Sequence, residues 1–78
     1  MDEAKDTLDC LGLYCPVPVL QLREKMDSLP LGATLEVFAD DPAAEEDFKS
    51  WAKRTGQEIV DFKKDGAKMR WLIKKVSH

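Results

Sequence analysis

Apolar and polar side chains alternate through Thr7-Leu8-Asp9-Cys10-Leu11 and the pattern stops at Gly12. A period of two marks a half-buried strand, so residues 7–11 are expected to form a first strand with Leu8 and Cys10 on one face. Gly12 to Cys15 then reads as a loop. Beyond it the period lengthens. Val19, Leu22, Met26 and Leu29 recur at steps of three and four, which lays one apolar stripe along a helix, and Pro30 and Gly32 end it.

Thr34-Leu35-Glu36-Val37-Phe38-Ala39 is rich in β-branched and apolar residues and reads as a second strand. It runs into Asp40-Asp41-Pro42, where a second helix is expected to begin with Asp41 as N-cap and Pro42 at the first helical position. Glu45, Glu46 and Asp47 complement the positive end of that helix, while Ala44, Phe48, Trp51, Ala52 and Thr55 supply its inner stripe. Gly56 offers the backbone freedom that helix C-termini favour. The remainder reads as a hairpin, with strands over 58–63 and 68–76 joined near Asp65-Gly66. In the last strand Met69, Trp71 and Ile73 should face the helices, and Lys68, Arg70 and Lys74 should face water.

The order is β-α-β-α-β-β, an α+β chain best packed as two helices on one face of a four-stranded sheet. Its 78 residues, 44% hydrophobic and 35% charged, fit one domain over 1–78 with an ordered core of about 7–76. A core of this size leaves only about 3–5 kcal/mol net, so a deep enclosed pocket is not expected and function belongs on the surface. No stretch approaches the roughly 20 apolar residues of a membrane span. The N-terminus Met1-Asp2-Glu3-Ala4-Lys5-Asp6 is acidic where a secretory signal would be basic and then apolar. A cytoplasmic location is therefore expected.

The net charge of −3 conceals an asymmetry, because residues 1–47 are strongly acidic and residues 48–78 strongly basic. Lys63, Lys64, Lys68, Arg70, Lys74 and Lys75 are expected to form a basic C-terminal strand face. An alternative to thiol chemistry is a non-enzymatic binding or regulatory module that uses this face to contact an acidic partner or RNA, although a net negative chain with few exposed aromatics is a poor candidate for direct nucleic-acid binding.

Two cysteines are too few for a disulfide scaffold, so each is weighed as a thiol. Cys10 shares a strand face with Leu8 and reads first as a small core residue; a thiol-disulfide pair with Cys15 is the competing reading. A Cys-x₄-Cys spacing plus the single His78 gives too few ligands for a closed zinc site, and no metal is expected. Cys15 is placed differently. It ends the loop after the first strand and precedes the first helix, where the helix dipole favours a thiolate and the sulfur can meet solvent. Pro16 and Pro18 fix φ near about −65° and aim the residue, but neither has an N–H to offer its anion, so only a modest fall in thiol pKa is expected. Arg23 and Lys25 on the first helix are candidates to present positive charge to the thiol or to a partner. No sequence-adjacent histidine suggests a self-contained Cys-His hydrolase.

The run Gly12-Leu13-x-Cys15-Pro16-x-Pro18, preceded by Leu8-Asp9 and followed by Gly32, Ala39-Asp40-Asp41-Pro42-Ala43 and Gly56, resembles the TusA (SirA-like) family of small sulfur-carrier proteins. The likeness extends from about Leu8 to Val76. It implies a two-layer α/β sandwich with a mixed sheet. It also implies that Cys15 receives sulfane sulfur as a persulfide from a donor such as a cysteine desulfurase or rhodanese and passes it to an acceptor sulfur-relay protein. That is a stoichiometric, sulfurtransferase-type carrier with no cofactor beyond the covalent sulfur. Gly12, Pro16 and Pro18 would support the motif, and Arg23, Asp40 and Asp41 are candidates for partner docking. Family members feed tRNA thiolation, molybdenum-cofactor synthesis or sulfur oxidation. Cysteine at position 10 is not required by the family motif.

Overall fold

The structure, a computed structural model, describes residues 6–77. The acidic stretch Met1–Lys5 and the terminal His78 lie outside the described residues. Six elements follow in the expected order: β1 (Asp6–Cys10), α1 (Val17–Asp27), β2 (Thr34–Ala39), α2 (Pro42–Thr55), β3 (Glu58–Asp65) and β4 (Lys68–Lys74). They form one mixed sheet in the order β1-β2-β4-β3. β1 runs parallel to β2, with Asp6 opposite Leu35 and Cys10 opposite Ala39. β4 runs antiparallel to both β2 and β3, so the last strand in sequence is an interior one.

The core lies between the sheet and the two helices. Leu35, Val37 and Ala39 of β2 and Met69, Trp71 and Ile73 of β4 are buried there, as the period of two requires. Helix α1 adds Leu22 and Met26, and α2 adds Ala44, Phe48, Trp51 and Ala52. Trp71 is the centre of this packing. Its ring meets Phe48 edge-on at 5.3 Å between centroids and Phe62 at 4.3 Å. Each fully buried ring of this kind stabilises by about 1.5–3 kcal/mol through burial alone. Cys10 is fully buried in the same cluster, so its expected packing role holds.

Helix α2 begins and ends as its residues dictate. Asp41 caps it, accepting from the Ala43 amide, and Gly56 ends it at φ 76°, donating its N–H to Ala52 O. Thr55, expected in the buried stripe, is half-buried and turns its hydroxyl back to Trp51 O.

Two expectations for the last strand require correction. Leu72 lies on the face that should meet water, yet it is buried between its register partners Glu36 and Asp61. Lys75 does not join a basic surface. It is only 5% exposed, and its ammonium donates to Met26 O and Leu29 O at the end of α1. The last carbonyls of a helix have no partner within the helix, and a cation at that end also meets the negative end of the dipole. Position 75 is in phase with 69, 71 and 73, so its stem enters the core layer before the charge reaches those carbonyls.

Candidate functional site

The loop from Leu11 to Pro16 is held by the neighbouring strand end. Because β1 and β2 are parallel, the residues after each strand emerge side by side. Gly12, at φ 79°, donates its N–H to Asp40 Oδ1 at 3.0 Å, a turn conformation that favours glycine. Cys15 donates its N–H to Asp41 Oδ2 at 2.7 Å, while Asp41 Oδ1 holds the Ala43 amide at 3.2 Å. One carboxylate therefore ties the loop to the first turn of α2. Asp41 is buried and engaged through both oxygens, which gives it a scaffolding role; Asp40 is half-buried beside it.

The Cys15–Pro16 peptide is cis, and Pro16 occupies the N-cap position of α1 with no side-chain cap. Val17 donates to Tyr14 O at 2.9 Å, and Pro18 has no N–H to give. The thiol of Cys15 is exposed and donates to Asp47 Oδ2 at 2.8 Å. It opens on a shallow groove of about 360 Å³ lined by Cys15, Pro16, Val19, Asp47, Ser50 and Arg54. Tyr14, 71% exposed, together with Val17 and Leu20 leaves apolar surface along the same segment.

The electrostatics reverse the expected direction. The hydrogen bond to Asp47 raises the Cys15 thiol above its ordinary pKa, and partial desolvation and the charges of Asp47 and Asp41 push it the same way. The helix end cannot offset this, since two of its first positions are prolines and the Val17 amide is already taken. The hydrogen bond and the two nearby carboxylates thus favour the thiol form of Cys15 over the thiolate. Burial likewise raises Cys10, with the charge of Asp9 adding to it.

Arg23 and Lys25 do not reach this groove. Arg23 lines a separate cleft with Met26, Trp51 and Arg54, and Lys25 lies 3.9 Å from Asp6. Asp47 and Arg54 were the residues the sequence reading passed over. Positions 47, 50 and 54 lie at helical spacing beside the buried stripe of α2, so a polar row flanking that stripe was the available signal. Of the basic set, Lys63, Lys64, Lys68 and Arg70 gather with Phe38 around one shallow surface pocket, where Lys64 pairs with Glu45 at 3.3 Å, Arg70 pairs with Glu36, and Lys68 sits 5.0 Å above the Phe38 ring; Lys75 is turned inward. Among the described residues no group of three or more His, Cys, Asp or Glu is placed to hold a metal, and no helix is long and apolar enough to cross a membrane.

Residues 6–75 match the family model described as sulfurtransferase TusA. The chain is 46% identical over 69 residues to a putative sulfur carrier protein of Archaeoglobus fulgidus, covering 86% of this chain and 88% of that one. It is 39% identical over 75 residues to the sulfur carrier protein TusA of Allochromatium vinosum, covering 96% and 99%. The crystal structure of a SirA-like protein from Desulfitobacterium hafniense superposes with a TM-score of 0.79 at 23% identity, covering 92% of this chain and 99% of that one, and so shares the fold. By the family model and these two relatives together, this chain belongs to the TusA family.

Proposed function

We propose that this protein is a sulfur carrier whose Cys15 accepts sulfane sulfur as a persulfide from a donor protein and delivers it to an acceptor protein. The observation that carries the reading is the exposed thiol of Cys15, fixed through its own amide to Asp41 at the head of α2. A carrier needs a reachable sulfur in a defined direction, with open surface around it for a docked partner. The shallow groove and the apolar surface of Tyr14, Val17 and Leu20 meet both needs.

The chemistry is thiol-disulfide exchange in form. The sulfur of Cys15 attacks the outer sulfur of the donor persulfide. The donor S–S bond breaks, a new S–S bond forms on Cys15, and the donor leaves as a thiol. No external oxidant or reductant is consumed. A cysteine desulfurase or a rhodanese fits the donor role, and a second thiol protein fits the acceptor. Sulfur delivery to tRNA thiolation, molybdenum-cofactor synthesis or sulfur oxidation are the pathways to test, in a cytoplasmic setting.

Incubation with a cysteine desulfurase and cysteine, followed by intact-mass measurement, tests this. Wild type should gain one sulfur atom, and Cys15→Ser should gain none. Absence of the gain, or its persistence in the variant, would refute the reading. The competing dithiol reading loses support from the full burial of Cys10, and the basic-face reading from the burial of Lys75 and the pairing of Arg70 with Glu36.

A further inference from the structure

The Cys15 thiol donates its hydrogen to a carboxylate, and since the thiolate is the reactive form, a carrier built on it needs somewhere to put that proton when it attacks. Sulfur transfer also needs a proton on the thiolate that departs. Both requirements meet at one contact in this molecule.

We propose that Asp47 is a catalytic residue of the transfer: its carboxylate takes the proton from Cys15 Sγ as that sulfur attacks, and returns it to the sulfur that leaves the donor. The inference rests on the carrier reading above. The distance of 2.8 Å between Sγ and Asp47 Oδ2 is within the reach required of a general base. Its neighbours leave no substitute. Arg54 has donors but no acceptor, Ser50 offers only a hydroxyl, and Asp41 is buried with both oxygens on backbone amides. No histidine occurs among the described residues.

The balance is complete. The bond from Cys15 Sγ to the outer donor sulfur forms as the donor S–S bond breaks. The proton moves from Sγ to Asp47 Oδ2 and from there to the inner donor sulfur. The products are the Cys15 persulfide and a donor thiol. Delivery runs the same path backward: an acceptor thiol attacks the outer sulfur, Cys15 leaves, and Asp47 relays the acceptor's proton to it. The arrangement also explains why a carrier would tolerate two acidic groups near its thiol. Asp47 and Asp41 keep the free carrier protonated and quiet toward small electrophiles, whereas a docked persulfide supplies the leaving sulfur that completes the relay. Arg54 is the cation of the groove, placed to moderate the negative charge that develops.

Full-length Asp47→Asn and Asp47→Glu test the proposal, with folding checked by circular dichroism. Two rates are measured: iodoacetamide alkylation of Cys15 against pH, and single-turnover sulfur transfer from a persulfidated cysteine desulfurase at saturating donor. Asp47→Asn should alkylate faster at neutral pH, with its profile moved to lower pH, while its maximal transfer rate falls on the order of 10²-fold, the usual contribution of a general acid-base group. Asp47→Glu should recover part of that transfer. If transfer instead rises in step with alkylation, Asp47 is only an electrostatic brake and the proposal falls. It falls too if the deficit disappears at saturating donor, which would make Asp47 a docking residue, or if alkylation does not change, which would place the carboxylate away from the sulfur in solution. Wild type that takes up no sulfur would overturn the carrier reading itself, a result distinct from all of these.

Discussion

Replacing Asp41 probes the joint between the reactive loop and the rest of the fold. The residue is 8% exposed, and its carboxylate accepts from Cys15 N at 2.7 Å and from Ala43 N at 3.2 Å. Asp41→Ala removes an N-cap, which costs about 0.5–2 kcal/mol, and a charge-assisted bond to a loop amide, worth about 1.5–3 kcal/mol. The two losses share one side chain and the vacated amides can recruit water, so a total of about 2–4 kcal/mol is expected. For a domain of this size that corresponds to a fall in Tm of about 10–25 °C. Asp41→Asn is the sharper variant. Asparagine caps helices as well as aspartate, but it has a single acceptor oxygen and turns an NH₂ donor toward whichever amide it does not serve. It should keep the Ala43 bond, lose the Cys15 bond, and cost about 1–2 kcal/mol. Urea unfolding followed by circular dichroism gives these differences, provided the slope against urea is unchanged. Equal stability of Asp41→Asn and wild type, with Asp41→Ala costing under about 1 kcal/mol, would refute the idea that one carboxylate holds both segments.

Lys75→Met should destabilise by about 1–3 kcal/mol in urea unfolding, since it removes two charge-assisted bonds to the end of α1 but also relieves the burial of a charge; a neutral or stabilising result would show that desolvation outweighs those bonds. Iodoacetamide should label only Cys15 in the folded protein and reach Cys10 on unfolding, and rapid native double labelling would contradict the burial of Cys10. Because burial raises the Cys10 thiol in the folded chain, the folded state holds this proton more tightly than the unfolded state. Its contribution to stability is full below the ordinary thiol range near about 8.5 and is lost as pH rises through the folded value, so urea midpoints should decline on the alkaline side and do so less in Cys10→Ala.

Much of this molecule is legible in its residues. The change from period two to period three or four locates the strands and helices, and Asp41, Pro42 and Gly56 locate the ends of α2 within a residue. Cys15 stands out because a cysteine between a loop glycine and two prolines has little route into the core. The strand order was less accessible, since pairing β4 between β2 and β3 depends on contacts across the whole chain. For Lys75 a local signal existed. It is in phase with the buried Met69, Trp71 and Ile73, but charge suggested solvent and parity was overruled. The direction of the Cys15 pKa was missed for a different reason. A dipole argument uses only the helix that follows the cysteine, whereas the groups that win, Asp47 and Asp41, arrive from α2 through folding.

The parallel pairing of β1 with β2 divides the molecule into two ends. Had the two strands run antiparallel, Asp40 and Asp41 would lie a strand length away from Gly12 and Cys15, about 17 Å for five residues. As built, both strand-to-helix passages open at one end of the sheet, and Cys15 is gathered there with the carboxylates that hold its loop. At the opposite end, Lys75 pairs with Ala33 and Gly32 and closes off α1. Changes there can alter how long the protein lasts without altering how its sulfur reacts, which lets robustness and chemistry be adjusted separately in a domain of 78 residues.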